Sequence, residues 1–322
     1  MKIEKIKEKL NFYGSCKEPF LFLLSYDLKI FYIEKLSKKS KKIRYKISSK
    51  NSKNQKNSKK YFFKKYPIDF KNYNNKFQTI QEQIRAGNTY LANLTSQTKI
   101  DTNLSLNHIY KTSNSLLKLR VKLKKANFVC FSPEKFIDIV DDKIYTYPMK
   151  GTIDKSIKES KELLLNSTKE LAEHTMIVDL LRNDLGKVAK NIEVEEFRFI
   201  DEIKTDKKVL LQTSSKISGK LDDNWSDNLG DILLALLPAG SITGTPKRST
   251  IDILKKVENY NRGFYTGIFG VFDGKNLQSF VLIRFIEKID GELFYKSGGG
   301  ITSDSKAKDE YKELIDKIYL PF

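Results

Sequence analysis

Three short segments of the chain concentrate side chains that could carry out chemistry, and the first is a helix. The segment AEHTMIVDLLRNDLGKV (172–188) has good apolar periodicity, yet it also carries a dense polar set: Glu173, His174, Asp179, Arg182, Asn183 and Asp184. Each residue alone fits a solvated face or a helix-stabilising ion pair, whereas the whole set indicates a site. Within it we interpret Arg182 and Asp184 as a buried network that braces Glu173.

The second segment, KSGGGITSDSKAKDEYKEL (296–314), combines a glycine run with two carboxylates. Three consecutive glycines expose backbone N–H groups and allow a ligand to approach closely. The helix that follows places Glu310 and Glu313 three residues apart, on one face. Two such carboxylates can share a hard cation such as Mg²⁺, with further oxygen ligands from elsewhere. A pair of solvated surface glutamates is the alternative interpretation.

The third segment, LLPAGSITGTPK (236–247), is a turn that leads into a helix. Thr245 is a natural N-cap, with Pro246 at the first helical position. The free N–H groups and the helix dipole favour an anion there, although an ordinary capped turn is the alternative. It is not a Walker A loop, because the glycines are too close together and no Gly-Lys-Ser/Thr follows.

Apolar runs and turn residues predict the elements that position these segments. They predict a hairpin within 19–33, a helix over 77–87, a strand over 88–100, a hairpin within 128–150, helix within 156–189, a strand over 210–221, a helix over 227–240, three strand-like segments over 263–301, and a last helix capped by Ser303 or Asp304. Lys150 ends the second hairpin, between an apolar run and a Gly-Thr pair. Blocks of strands mixed with blocks of helices predict an α+β fold with antiparallel sheets.

Composition excludes several classes of protein. Two cysteines and two histidines exclude a disulfide framework, a CxxC knuckle and a histidine-rich zinc site. The N-terminal MKIEKIKEKL lacks the apolar core of a signal peptide, and the longest apolar stretch, 232–238, is too short to span a bilayer. A cytoplasmic protein is therefore expected.

The net charge of +19 raises the possibility of nucleic-acid binding. Much of this charge lies in KKSKKIRYKISSKNSKNQKNSKK (38–60), which is rich in Lys, Ser and Asn and poor in apolar residues. We interpret it as a solvated loop, because no recognition motif accompanies it. A nucleic-acid-binding arm is the alternative.

Taken together, five segments resemble one family. PMKGT, EHTMIVDLLRNDLG, LLPAGSITGTPK, RGFYTGIFG and SGGGITSDSKAKDEYKE match, in order and wording, the chorismate-binding enzymes, which include the anthranilate, aminodeoxychorismate, isochorismate and salicylate synthases. The resemblance runs from about Gln83 to the C-terminus. It implies two large antiparallel sheets packed face to face with helices outside. It also divides the chain into N-terminal strands with the basic loop (1–75), part of the same fold, and a chorismate-binding catalytic core (76–322).

Within the family, Lys150 is similar to the lysine of the aminodeoxychorismate synthases. Those enzymes carry Pro-x-Lys-Gly-Thr at this turn, where anthranilate and isochorismate synthases carry Pro-x-Ala-Gly-Thr. The resemblance implies that Lys150 is a nucleophile that adds to C2 of the chorismate ring while the C4 hydroxyl leaves. Ammonia then attacks C4 and expels the lysine, so that one difficult displacement becomes two easier ones.

The resemblance also assigns the other site residues. Glu134 in SPEKF would be the general acid–base, and Glu173, Glu310 and Glu313 would hold Mg²⁺. The substrate-binding residues that it implies are Thr152, His174, Thr243, Gly244, Tyr265, Arg284, Gly298, Gly299 and Gly300.

The function expected from this resemblance is the amination of chorismate on the way to para-aminobenzoate and folate. Ammonia would come from a separate glutamine amidotransferase subunit. An anthranilate synthase component I is the nearest alternative, and the identity of the product distinguishes the two.

Overall fold

The computed structural model describes residues 2–38, 41–48, 59–204 and 209–322. The helices are α1 (Lys2–Ser15), α2 (Phe70–Arg85), α3 (Leu106–Thr112), α4 (Ser160–Asn166), α5 (Thr168–Leu185), α6 (Leu229–Leu236), α7 (Lys247–Glu258) and α8 (Ala307–Asp316). The strands are β1 (Phe20–Leu24), β2 (Phe31–Lys35), β3 (Ile43–Ile47), β4 (Phe63–Tyr66), β5 (Leu91–Thr102), β6 (Leu117–Leu123), β7 (Ala126–Ser132), β8 (Lys135–Val140), β9 (Lys143–Thr146), β10 (Met149–Asp154), β11 (Lys190–Lys204), β12 (Val209–Lys220), β13 (Gly244–Thr245), β14 (Ile268–Phe272), β15 (Leu277–Val281), β16 (Phe285–Ile289) and β17 (Glu292–Ile301).

The chain divides into two compact units, each built around one antiparallel sheet. The first unit comprises the described residues within 1–38, 134–241 and 268–281. Its sheet has the strand order β10-β12-β9-β8-β15-β14-β1-β2. Strands β10 and β9 pair with successive parts of β12, and β11 pairs with β12 along most of its length. Strand β1 is buried at every position, which explains its uninterrupted Phe-Leu sequence.

The second unit comprises the described residues within 39–133, 242–267 and 282–322. Its sheet has the order β13-β5-β17-β16-β7-β6-β3, with β4 paired to β5. Helix α2 begins at Asp69, whose Oδ1 accepts a hydrogen bond of 2.9 Å from the N–H of Asn72. Its apolar face, Tyr73, Phe77 and Ile80, packs in a core cluster that includes Leu94 of β5.

Most of the predicted elements are confirmed. Strands β1 and β2 form the predicted hairpin, and β8 and β9 form another across Asp141 and Asp142. Helix α5 spans the predicted polar-apolar helix and begins at Ser167, whose hydroxyl accepts from the N–H of Glu170. The two large antiparallel sheets with helices confirm the α+β class.

Two predicted helix caps are wrong. Thr245 lies in β13, opposite Leu91, and the N-cap of α7 is Pro246, which has no side-chain hydrogen bond to offer. The N-cap of α8 is Lys306, three residues after Ser303. In both cases strand pairing and the following turn, which are tertiary features, shift the helix start beyond the best local capping residue.

The basic segment 38–60 is only partly a loop. Residues 43–47 form β3, whose alternating residues Ile43, Tyr45 and Ile47 pair with β6. Residues 39–40 and 49–58 lie outside the described part of the chain. Among the helices described, none is both long and apolar enough to cross a bilayer.

Candidate active site

Lys150 lies at an irregularity in the edge strand of the first unit's sheet. It pairs with Thr213 of β12, and the register then shifts before Thr152, which pairs with Gln212. Gly151 takes the extra position with φ of +72°, in the left-handed region that favours glycine. A Cβ on Gly151 would lie 2.7 Å from Oε2 of Glu170, so a side chain there would also require the Glu170 carboxylate at the start of α5 to move.

A buried polar network lies behind Lys150. The Thr213 hydroxyl donates a short hydrogen bond to the backbone carbonyl of Lys150, and it lies 3.5 Å from Nδ1 of His174. Nε2 of His174 shares a hydrogen bond of 2.6 Å with the hydroxyl of Ser215, which also accepts from the N–H of Arg198. The network therefore ties the backbone of Lys150 to α5.

Burial keeps His174 neutral. The side chain is fully buried, and this burial, together with the charges of Arg198 and Lys150, lowers the pKa of His174 to about 4. The substrate contact predicted for His174 stays a prediction. The other predicted contact on this side, Thr152, is exposed and accepts a hydrogen bond of 3.4 Å from Gln212.

Glu134 follows β7 and precedes β8, and its carboxylate is held by a serine. The hydroxyl of Ser241, in a short turn after α6, donates a hydrogen bond of 2.6 Å to Oε1 of Glu134. Both residues line a cavity of about 20 Å³, together with Asp184 and Tyr147. A cavity of this size holds about one water molecule.

The proposed brace of Glu173 is wrong. Arg182 is exposed and pairs with Asp179 at 3.4 Å, while buried Asp184 accepts a hydrogen bond of 2.7 Å from Lys187. Its Oδ2 atom would lie 3.1 Å from a Cβ atom built on Gly240. Asp184 thus lies against the turn that carries Ser241, whereas Glu173 is partly exposed and lies 3.9 Å from the ammonium of Lys169.

In the second unit, two carboxylates converge beside the glycine run. A Cβ atom built on Gly299 would lie 3.4 Å from Oε2 of Glu310 and 3.8 Å from Oε1 of Glu313. Glu310 is 7% exposed and accepts a hydrogen bond of 2.8 Å from the hydroxyl of Ser305. The ammonium of Lys317 lies 2.6 Å from Glu313 and donates to the carbonyl of Gly298.

This donor set fits a Mg²⁺ ion that keeps several of its waters, because the two oxygens are hard ligands and adjacent. Across the described ranges, no group of three or more His, Cys, Asp or Glu side chains forms a complete cage. Lys317 competes for Glu313, so an ion would have to displace its ammonium from that carboxylate. Glu310 is therefore the more available ligand of the pair.

The glycine run Gly298–Gly300 lies at an open stretch of strand. These residues of β17 pair with Thr95, Leu94 and Asn93 of β5. Strand β16 pairs with β17 only as far as Lys296, so in the described part of the chain the glycines have a strand on one side. Alternate N–H groups there point away from β5, which leaves them available as donors.

Thr243 and Gly244 are held against β5. Gly244 pairs with Ala92 at φ of +127°, and a Cβ on it would lie 1.9 Å from the carbonyl oxygen of Leu91. Thr243 is fully buried, and its carbonyl accepts from the N–H of Asn93 at 2.9 Å. No larger residue than glycine fits this turn.

Arg262 connects the Thr243 turn to the Tyr265 segment. It is 3% exposed and makes a bidentate ion pair with Glu258, at 2.8 and 2.6 Å. Its remaining N–H groups donate to the carbonyls of Ile242 and Asn93. Its own carbonyl accepts from the N–H of Tyr265, so one buried guanidinium fixes both predicted substrate-binding segments.

Arg284 lies between β15 and β16 with φ of +53°, an uncommon conformation for a residue with a side chain. Its Nε donates a hydrogen bond of 3.2 Å to the hydroxyl of Tyr319, and its guanidinium lies over the Tyr319 ring at 5.5 Å. Tyr265 is 3% exposed, with its ring 5.9 Å from that of Phe285. Arg284 is therefore oriented by an aromatic residue from the C-terminal segment.

The sequence model of the chorismate binding enzymes matches residues 20–321, nearly the whole chain. The chain belongs to the chorismate-binding enzymes. It is 46% identical over 316 residues to a protein of Haemophilus influenzae described as PabA-like, covering 98% of this chain and 95% of that one.

Two further relatives of this chorismate-binding enzyme are informative. It is 32% identical to aminodeoxychorismate synthase component 1 of Escherichia coli, over 77% of this chain and 56% of that one. The crystal structure of anthranilate synthase component I from Streptococcus pneumoniae superposes with a TM-score of 0.67 at 25% identity, over 80% of this chain and 58% of that one. The chain thus spans little more than half the length of these two relatives.

Sequence reasoning did not predict several residues that contact the candidate site residues or their segments, namely Thr213, Ser215, Ser241, Arg262 and Lys317. Ser241 and Arg262 lie inside motifs that were recognised, GSITG and RGFYTG, so their position was a usable signal. Thr213 and Ser215 lie on one face of an ordinary strand. Their role depends on pairing between β12 and β10, which local sequence does not reveal.

Proposed function

We propose that this chorismate-binding enzyme is an aminodeoxychorismate synthase component I, which converts chorismate and ammonia to 4-amino-4-deoxychorismate for para-aminobenzoate formation. The observation that carries the proposal is Lys150 at the Gly151 bulge, where its backbone is fixed by Thr213. Identity alone does not decide between activities, since anthranilate synthases are also relatives.

In the proposed reaction, the amine of Lys150 forms a bond to C2 of the ring as both ring double bonds shift and the C4–O bond breaks. Glu134 donates the proton with which the hydroxyl leaves as water. Ammonia then forms a bond to C4, the double bond shifts back, and the C2–N bond to Lys150 breaks. The ammonium formed when Lys150 attacks returns a proton to Glu134, and the proton that ammonia loses after bonding to C4 goes to Lys150 as it leaves. Both residues therefore return to their starting states.

The surroundings of Lys150 and Glu134 support these roles. Among the described residues, no carboxylate makes an ion pair with Lys150. Ser241 holds Oε1 of Glu134 and so orients the carboxylate for its proposed proton transfer. Neutral His174 and Thr213 act as positioning residues.

The negative charges of chorismate would be bound by separate groups. We assign the enolpyruvyl carboxylate to Arg284, Tyr265 and the N–H groups of Gly298–Gly300, and the ring carboxylate region to Thr152, Thr243 and Gly244. Glu310, with Glu313 and Glu173, would hold the Mg²⁺ ion. When bound, that ion would neutralise the ring carboxylate as a Lewis acid.

Ammonia would be supplied by a separate glutamine amidotransferase subunit. This is consistent with the designation of the Escherichia coli relative as component 1.

The test is to incubate the purified chain with chorismate, Mg²⁺ and an ammonium salt and to identify the product by mass spectrometry and NMR. We expect 4-amino-4-deoxychorismate. Anthranilate with release of pyruvate, or isochorismate, would overturn the proposal while leaving the family membership intact. Lys150→Ala serves as the matched control, because it removes only the nucleophile.

A further inference from the structure

Four cations lie together at the edge of the second unit's sheet, and we call them the basic edge cluster: Arg44, Lys46, Lys118 and Arg120. Arg44 of β3 is directly opposite Arg120 of β6, and Lys46 is directly opposite Lys118. Residues paired in this way project from the same face of the sheet, with Cβ atoms about 5 Å apart. Like charges at such positions repel and destabilise the strand pair.

Helix α3 gathers three of these cations around one point. Nη2 of Arg44 and Nε of Arg120 both donate to Oδ1 of Asn107, at 2.6 and 3.1 Å. The guanidinium of Arg44 lies 5.3 Å from the ring centre of Tyr110, and Nζ of Lys118 lies 5.6 Å from it. The two guanidinium groups thus share one amide oxygen instead of a carboxylate.

Arg120 is the least compensated of the four. It is 6% exposed, and its other N–H groups donate only to neutral acceptors: the carbonyls of Val121 and Phe128 and the amide of Asn127. Burial, and then the charge of Arg44, lower the pKa of Arg120 to about 10. A buried charge normally has an opposite charge beside it, because desolvation is otherwise uncompensated.

The sequence around the cluster contains no acid that could supply that charge. No Asp or Glu occurs in residues 35–68 or 102–133, which include β3, α3, β6 and β7. Within the described ranges, none of the four cations makes an ion pair. Burial and the charge of Lys46 also lower the pKa of Lys118, so repulsion is felt by both cross-strand pairs.

We propose that the basic edge cluster binds a small anion that carries phosphate groups, such as a diphosphate or triphosphate moiety. The guanidinium fork and the ammonium groups match the oxygens of phosphate, and a bound anion removes the repulsion. Three cations gathered by Asn107 and Tyr110 of helix α3 fit one or two phosphates, whereas a nucleic-acid strand requires a longer series of cations. The site is independent of the chorismate reaction.

The test is calorimetric titration of the full chain with inorganic tripolyphosphate at physiological ionic strength. In the double variant Arg44→Gln, Lys118→Gln, we expect affinity to fall by at least about tenfold, because two charge-assisted contacts are lost. The matched control is Lys143→Gln, Lys220→Gln, another pair of directly opposite lysines, in the first unit's sheet. This control removes the same charge and should change affinity by less than about twofold.

Thermal unfolding supplies a second readout. Without ligand, Arg44→Gln should raise Tm, because its repulsion with Arg120 disappears; tripolyphosphate should raise Tm of the unaltered chain and not of the double variant. The exposed Lys46→Gln provides a milder variant should the double variant not fold.

Equal weakening of tripolyphosphate binding in the double variant and the control, or no binding to the unaltered chain, overturns the proposal. Binding of a single-stranded oligonucleotide but not of tripolyphosphate, lost in the double variant, would show a nucleic-acid surface and also overturn it.

Discussion

The hydroxyl of Ser241 donates a hydrogen bond of 2.6 Å to Oε1 of Glu134, although the two residues are 107 positions apart. The donor fixes the orientation of the carboxylate that is proposed to transfer the proton to the leaving hydroxyl. In Ser241→Ala we expect kcat for chorismate amination to fall roughly tenfold to a hundredfold, the range for a hydrogen bond to a charged group, with KM little changed.

The control for Ser241 is Ser241→Thr, which keeps the hydroxyl and should recover most of the rate. The pH dependence of kcat should shift in Ser241→Ala and not in Ser241→Thr, because only the former removes the hydrogen-bond donor to Glu134. An unaltered rate and pH profile in Ser241→Ala would show that this hydrogen bond has only a structural role.

Lys150 is predicted to be the covalent nucleophile. Lys150→Ala should lose nearly all amination while still binding chorismate. Lys150→Arg should be equally inactive, because a guanidinium stays protonated and cannot attack. A chorismate analogue with an electron-withdrawing group at C2 should leave an adduct on the peptide that contains Met149, Lys150 and Gly151, detected by mass spectrometry. Normal turnover in Lys150→Arg would show that this residue acts only through its positive charge.

The two carboxylates beside Gly299 should differ in their effect on Mg²⁺. Glu310→Gln should weaken Mg²⁺ binding, measured by calorimetry in the presence of chorismate, by about tenfold or more. Glu313→Gln should have a smaller effect, because Lys317 already neutralises that carboxylate at 2.6 Å. EDTA should abolish turnover, and added Mg²⁺ should restore it. Full activity in EDTA would contradict the metal assignment.

His174 should make the fold sensitive to mild acid. Its pKa is about 4 in the folded chain, lowered by burial and by Arg198 and Lys150. In the unfolded chain the ordinary value is about 6.5, so the unfolded state takes up a proton first as the pH falls. The free energy of unfolding should therefore decrease by on the order of 2 kcal/mol between pH 7 and pH 5.

Urea unfolding at several pH values measures this dependence. His174→Gln should be less stable at neutral pH, but its free energy of unfolding should lack the decrease between pH 7 and pH 5 that His174 causes. His108→Gln, the variant of the second histidine, controls for the loss of an imidazole elsewhere. If the free energy of unfolding of His174→Gln still decreased by the same amount between pH 7 and pH 5, the acid sensitivity would belong to other groups.

The sequence by itself determined the fold class, the family and the identity of the residues that could react. Its information is local: apolar periodicity predicted β1, β2, α5 and β12, and five motifs in order identified the chorismate-binding enzymes. Motif wording also singled out Lys150, because one residue type at a defined turn distinguishes related chemistries. None of this required knowledge of which strands pair.

Tertiary structure decided what surrounds each reactive group. Ser241 reaches Glu134, and Thr213 reaches the carbonyl of Lys150, only because segments distant in the chain are brought together. Strand pairing also placed Thr245 in β13 instead of at a helix cap, since a ladder partner outweighs a local capping preference. Burial, which depends on every neighbouring element, decided that His174 lies among Thr213 and Ser215 with a lowered pKa. The repulsion within the basic edge cluster likewise exists only because β3 pairs with β6, which the composition of residues 38–60 did not suggest.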